Sequence, residues 1–186
     1  MKNKILIFIF IIFSILIFDS CYWRSLHPLY SKSTLIMDTT IIGAWQDKDF
    51  VWEISKANDT SYSISINSNG KKINFIGHLV NLGNYKFLDI FPKRDDAMDD
   101  DYSTYFEPVH SFSRIWIYED SIQTSEIEYE WLQKNILDKN VNLKYEVLSD
   151  DRFLITSSTN ELQKFALKYA DDKSAFKDKQ TSYKKK

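Results

Sequence analysis

The sequence predicts a mainly β protein, built as an antiparallel up-and-down β-barrel with two helices near its C-terminus. Eight or nine short segments alternate apolar and polar side chains, the pattern of strands that have one face buried. Turn signals separate them, and Asn69-Gly70 is the strongest because it tolerates the positive φ of a hairpin turn. Strands joined in sequence by tight turns pair antiparallel, and about eight of them can close a barrel. A two-sheet sandwich stays open as the alternative.

Individual strands can be placed along the chain. The first four form a meander, at 50–56, 61–67, 72–81 and 85–91. A long polar loop at 92–103 follows, rich in aspartate. Four more strands are predicted at 107–118, 121–126, 141–147 and 152–156.

Two helices interrupt the later strands. The first is predicted at 129–138 and the second at 159–170. Ser158 followed by Glu161 is the pattern of a capping box, which marks the start of the second helix. Apolar side chains then recur at helical spacing, at Leu162, Phe165, Ala166 and Tyr169.

The N-terminus carries an export signal. Lys2 and Lys4 precede an apolar run at 5–18, which ends just before Cys21, the only cysteine of the protein. A basic start and an apolar run of about 14 residues are typical of a secretory signal peptide. As a helix the run would span about 21 Å, short of the roughly 30 Å hydrocarbon core, which disfavours a permanent transmembrane anchor. A lone cysteine after a small residue predicts lipidation of Cys21, which also explains an odd cysteine in an exported chain.

These features predict four parts of the chain. Residues 1–20 are the signal peptide, and residues 21–40 are a lipidated tether. The barrel domain occupies 41–170, and a lysine-rich tail at 171–186, poor in apolar residues, is expected to be disordered. We therefore expect a protein of the cell envelope, anchored to the membrane by lipid. Tyr22, rather than an aspartate, follows the lipidated position, which favours the outer membrane.

Composition and motifs argue against several classes of function. A net charge of −2 is too balanced for a nucleic-acid partner. No nucleophile elbow is present, so an enzyme is not expected, and neither is a cofactor. His27, His78 and His110 lack the close spacing of zinc ligands, and the aspartates at 95–101 do not continue as a calcium-binding loop. We expect no metal.

One short motif resembles the lipocalins. Gly43-Ala44-Trp45 before the first clear strand is similar to the Gly-x-Trp that opens the lipocalin barrel. The resemblance implies a structural role for Gly43 and Trp45, with an arginine near the last strand packed across the tryptophan. Arg152 is the candidate for that arginine. A helix after the last strand, here 159–170, is also lipocalin-like.

A wider resemblance covers most of the chain after Cys21. The chain is similar to a family of uncharacterised bacterial lipoproteins in seven stretches, at 25–30, 43–45, 78–80, 87–90, 110–112, 153–156 and 161–165. This resemblance implies export, lipidation and a lipocalin-like body. It implies no catalytic residues.

A barrel of this size either encloses a ligand or fills itself with side chains. Glu53, His110 and Arg114 are polar residues within apolar strands, and we expect them to point inward and hold the polar end of a small apolar ligand. The ligand site is expected at the end of the barrel opposite Trp45, with the loop 92–103 at its rim. The alternative function is a protein-interaction or assembly module with a filled barrel and no ligand.

Overall fold

A computed structural model describes residues 22–68, 70–93, 109–149, 152–176 and 181–186. The predicted signal peptide, Cys21 and most of the aspartate-rich loop lie outside the described residues. The strands are β1 Tyr22–Ser25, β2 Leu35–Ile36, β3 Gly43–Gln46, β4 Val51–Lys56, β5 Tyr62–Ser68, β6 Lys71–Leu82, β7 Tyr85–Pro92, β8 Ser111–Ile117, β9 Ser121–Glu126, β10 Tyr145–Ser149, β11 Arg152–Ile155 and β12 Thr181–Lys185. The α-helices are α1 Tyr129–Leu137 and α2 Thr159–Tyr169.

Eight strands form a closed antiparallel barrel. Their order around the ring is β3, β4, β5, β6, β7, β8, β9 and β12, and β12 pairs back onto β3. The predicted meander is confirmed as the consecutive hairpins β4 to β7. The predicted barrel is therefore confirmed, although two of its strands are not the ones that the sequence pattern suggested.

The last strand of the barrel comes from the tail that the sequence predicts to be disordered. That expectation is wrong for 181–186, because β12 lies between β9 and β3 and the Lys186 N–H donates to the Ala44 carbonyl at 2.9 Å. The physical reason is that open strand edges need backbone partners, which a lysine-rich segment can supply as well as any other. Only Tyr183 of β12 is buried, at 5 % exposure, and this single side chain fastens the strand.

The segment predicted to be a tether is also folded. β1 pairs in parallel with β11, and β2 pairs with β6 at the side of the barrel. Trp23 and Leu29 are buried at 7 % and 0 % exposure. The folded domain therefore includes residues 22–40 and does not begin near residue 41.

The strands β1, β11 and β10 make a second, three-stranded sheet. The predicted hairpin of β10 and β11 exists, but it belongs to this sheet and not to the barrel. Together with α1 and α2, the small sheet covers the outer face of one side of the barrel. The buried side chains of this outer core include Leu29, Phe87, Leu132, Phe153 and Leu162.

Both predicted helices are confirmed. In α2 the Ser158 hydroxyl accepts from the Glu161 N–H while the Glu161 carboxylate accepts from the Ser158 N–H, which is the predicted capping box. These hydrogen bonds and the nearby Lys144 ammonium lower the pKa of Glu161 to about 2. The Glu161 carboxylate is therefore charged at neutral pH, and its capping hydrogen bond is charge-assisted.

Candidate ligand site inside the barrel

One end of the barrel is filled by Trp45. Its side chain is fully buried, and the indole Nε1–H donates to the Ile41 carbonyl at 2.7 Å. Gly43 precedes it with a φ of 145°, a conformation that glycine adopts without strain. This conformation is the physical reason for a glycine at position 43. We refer to this end of the barrel as the closed end.

A second glycine, Gly77, leaves room for the side chains that pack inside the closed half of the barrel. A Cβ placed on Gly77 would lie 2.4 Å from the Ile64 Cδ1, so the isoleucine occupies the space that a side chain there would need. Ile64 and Leu79 are fully buried beside it. The closed half of the barrel interior is thus packed with side chains.

The other half of the interior contains a cavity of about 760 Å³ that opens at the barrel end opposite Trp45. Pockets that bind drug-sized ligands measure about 300–1,000 Å³, so the space suits a small molecule. Its lining side chains are mostly apolar and come from seven barrel strands, from β1 and from the segments next to β4 and β8. The apolar ones are Trp23, Phe50, Trp52, Ile66, Ile73, Phe75, Leu88, Ile90, Pro92, Val109, Phe112 and Tyr183.

Strand alternation explains which side chains reach this space. Leu88 pairs with Ser113 and Ile90 with Ser111, so these four positions share the inner face of β7 and β8. On the next strands Thr124 pairs with Thr181. All of these positions line the cavity. Apolar side chains thus make one wall, and hydroxyl groups line the opposite one.

Tyr183 and Trp52 lie where the cavity meets the packed closed half. Their rings are 4.9 Å apart, and both side chains line the cavity. Burial, together with the carboxylates of Asp47 and Glu126, raises the pKa of Tyr183 above its ordinary value. The phenol is therefore neutral at physiological pH, and the inner end of the cavity is uncharged.

The charged residues of the lining are Arg24 and Glu126. Arg24 belongs to β1, and its Nη1 donates to the Trp23 carbonyl at 2.8 Å. Neither Trp23 nor Arg24 is among the predicted site residues, because both lie in the segment predicted to be a tether. The alternation of buried Trp23 and Ser25 with Arg24 is the signal that could have shown β1 to be a strand.

The three polar residues predicted to point into the barrel do not line the cavity, and that expectation is wrong. Glu53 is on the outer face of β4, exposed, with its carboxylate 3.8 Å from the Lys72 ammonium. Arg114 is on the outer face of β8, where its guanidinium donates to the Ala170 carbonyl at the end of α2 and lies 4.4 Å from the Trp116 ring. Both strands form as predicted, but the side chains that were predicted to point into the barrel point outward.

His110, the third of these residues, joins a buried polar cluster outside the barrel. Its Nδ1 lies 2.7 Å from the Asp89 carboxylate, whose other oxygen accepts the Leu29 N–H at 2.7 Å. His78 lies beside them, stacked 4.0 Å from the Tyr30 ring, and burial lowers its pKa. The cluster fastens the N-terminal segment onto the barrel wall.

The structure also does not make the predicted contact between Arg152 and Trp45. Arg152 begins β11 in the three-stranded sheet, is exposed, and donates from Nε to the Ser149 hydroxyl at 2.8 Å. The cation on the Trp45 ring is Lys185 of β12, with Nζ 5.6 Å from the ring centroid. The tail strand thus supplies the cation that the lipocalin resemblance assigned to Arg152.

The fold defines a class, a closed eight-stranded antiparallel barrel with one packed end and one open cavity. Comparisons with known protein families, with curated proteins and with solved structures found no match. The resemblance to a family of bacterial lipoproteins therefore stays a prediction. Among the described residues, no helix has the length and apolar character needed to span a bilayer. In that same part of the chain, no three His, Cys, Asp or Glu side chains cluster as metal ligands would.

Proposed function

We propose that this protein is a lipid-anchored protein of the bacterial cell envelope that binds a small apolar ligand in its barrel and does not convert it chemically. The observation that carries the proposal is the cavity of about 760 Å³ at the open end of the barrel. Anchoring through Cys21 rests on the signal-like N-terminus, and the outer membrane is the favoured location. A filled barrel, which the interaction-module alternative requires, would leave no such space.

The distribution of polar groups indicates the kind of ligand. Trp52, Ile66 and Leu88 make apolar walls, whereas Arg24 and Glu126 bring both signs of charge. Pockets of this kind bind the apolar part of a ligand by burial and orient it by a few polar contacts. The site therefore suits an amphipathic molecule with a single hydrocarbon chain, such as a fatty acid.

Filling the cavity tests the proposal. Ser113 lines the cavity, and Ser113→Phe would occupy part of the space without removing a packed side chain. We expect the purified variant to take up an apolar fluorescent probe at least several-fold more weakly than the parent protein. Ser65→Phe is the matched control, because Ser65 lies on the outer face of β5 opposite Glu53.

Circular dichroism would show whether each variant is folded. Equal probe uptake by both folded variants and the parent would contradict binding inside the barrel. Absence of uptake by the folded parent would contradict the ligand-binding proposal itself and favour the interaction module.

A further inference from the structure

One side of the cavity is lined by polar side chains. Three neighbouring strands, β8, β9 and β12, supply this polar strip, which consists of Ser111, Ser113, Thr124, Glu126 and Thr181. Ser113 pairs with Glu126, and Thr124 pairs with Thr181, so the strip is continuous across the inner face of the three strands. A polar group of a ligand can therefore move along these hydroxyl groups without losing all of its hydrogen-bond partners.

The strip ends at Tyr183, which lies next to Thr181 on the inner face of β12. Tyr183 pairs with Ile122, a fully buried residue of the packed half, and Trp52 beside it pairs with the fully buried Trp45. Tyr183 is only 5 % exposed and yet lines the cavity. Among the described lining residues it is the least exposed polar side chain, so its hydroxyl belongs to the inner end of the site.

The Tyr183 hydroxyl has a proton to donate. The Trp52 indole N–H donates to the phenol oxygen, whereas the carboxylates of Asp47 and Glu126 act on the phenol only through space. Burial and these carboxylates raise the pKa of Tyr183, so the phenol keeps its proton. A phenol accepts and donates hydrogen bonds at the same time, and buried tyrosine hydroxyls usually have a partner. An acceptor atom of a ligand in the cavity would be that partner.

The charges that act on this phenol select against an anion. Asp47 and Glu126 are both negative, and Arg24 is not among the groups that shift the pKa of Tyr183. A carboxylate brought to the inner end would lose its hydration and would be repelled by both acidic side chains. An uncharged oxygen, such as the carbonyl of a ketone or an ester, accepts the phenol hydrogen bond without that cost.

Resting on the proposed function, we propose that Tyr183 is the specificity-determining residue of the cavity and that its O–H binds an uncharged carbonyl oxygen at the inner end. The ligand is then a neutral single-chain molecule with a ketone or ester group. Its hydrocarbon part lies against the opposite wall, on Ile66, Phe75 and Leu88. An ionised fatty acid fits the same apolar wall but has no favourable partner at the inner end, so it binds more weakly.

Competition between ligands of equal chain length tests the proposal. The purified protein is loaded with an apolar fluorescent probe, which is displaced by methyl octyl ketone, decane, decanoate or decylamine. We expect Tyr183→Phe to weaken the binding of the ketone by about three- to tenfold, the value of one lost hydrogen bond, and to leave the affinity for decane unchanged. Tyr118→Phe is the matched control, because it removes the hydroxyl of an exposed tyrosine outside the cavity and should change neither affinity.

Infrared spectroscopy of the bound ketone gives a second measurement, which needs no variant. The isotope-labelled carbonyl of methyl octyl ketone should absorb at a lower frequency in the parent protein than in an alkane solvent, because it accepts a hydrogen bond. Tyr183→Phe should reverse most of this shift, and Ser113→Ala, which removes a hydroxyl elsewhere in the polar strip, should reverse less of it. If Tyr183→Phe does not fold, the frequency in the parent protein and in Ser113→Ala decides the matter.

Three results would overturn the role of Tyr183 and leave the ligand site intact. They are a carbonyl band in the parent protein at its alkane frequency, a loss of the band shift in Ser113→Ala as large as in Tyr183→Phe, and tighter binding of decanoate or decylamine than of the ketone. Equal losses of ketone and decane affinity in folded Tyr183→Phe would also overturn it, because the ring and not the hydroxyl would then hold the ligand. Failure of the parent protein to take up the probe would refute the ligand site itself.

Discussion

Replacing Trp45 tests whether the closed end of the barrel is built as described. The side chain is fully buried and donates one hydrogen bond to the Ile41 carbonyl. Removing a buried tryptophan costs about 3–5 kcal/mol of the free energy of unfolding, so we expect Trp45→Ala to destabilise the fold by that amount. Trp45→Phe keeps an aromatic ring but removes the hydrogen bond to the Ile41 carbonyl. An unsatisfied buried carbonyl costs about 1–3 kcal/mol, and we expect this variant to lose at least that much of the free energy of unfolding.

Urea unfolding of a soluble chain carrying Cys21→Ser measures these changes. Tyr118→Ala is the control at an exposed aromatic position of the same end, with an expected change within about 0.5 kcal/mol. Because Arg152 lies in the other sheet, its effect should add to that of Trp45 within about 0.5 kcal/mol in a double mutant. A Trp45→Ala loss as small as that of the control would refute the packed closed end, and strong coupling to Arg152 would restore the lipocalin arrangement.

Three further changes probe other parts of the molecule. Tyr183→Ala removes the buried side chain of β12 and should cost about 3–5 kcal/mol in urea unfolding, whereas a disordered tail would show no change. Burial lowers the pKa of His78, so below about pH 6.5 the unfolded state binds more protons than the folded state and the free energy of unfolding should decrease. His78→Phe should make this decrease smaller. The same pH dependence of the urea midpoint in the variant and the parent protein would contradict this. Cys21→Ser should release the protein from membranes in cell fractionation, and a normally processed variant that stays on membranes would contradict lipidation.

The parts of the fold that local patterns could predict are those set by local physics. The hairpins β4 to β7 follow from alternation and tight turns, and α2 follows from its capping box and apolar stripe. Gly-x-Trp correctly marked the start of the barrel, where Gly43 has a positive φ and Trp45 is fully buried. These features depend on neighbours in the sequence.

The errors concern strands whose partners are far away in the chain. β12 contributes one buried side chain, and its pairing with β9 and β3 depends on backbone groups that open edges leave unpaired. β1 has only four residues and pairs with β11, about 130 positions later. Composition alone predicted that both segments lack secondary structure. Side-chain patterns carry little information about pairing with the edge of a strand that is distant in the sequence.

The candidate site was predicted in position but not in its residues. The cavity lies at the end opposite Trp45 as expected, and Pro92, where the predicted rim loop begins, lines it; residues 94–108 lie outside the described residues. Glu53, His110 and Arg114 all lie outside the barrel. A shift of one residue in the alternation moves every side chain of a strand to the opposite face. The sequence of a single strand does not determine which of two neighbouring residues points into the barrel, because this depends on the partner strand.

Native mass spectrometry of the protein extracted from its own membrane would show whether the barrel holds a ligand. We expect the mass of a chain that begins at Cys21, increased by its acyl and diacylglyceryl groups, and a second species that carries one further single-chain lipid. Gentle activation should release that extra lipid and leave the covalent anchor in place. Ser113→Phe should abolish the second species, and Ser65→Phe should retain it. A lipidated protein that carries no additional molecule under any mild condition would contradict a barrel that binds an apolar ligand.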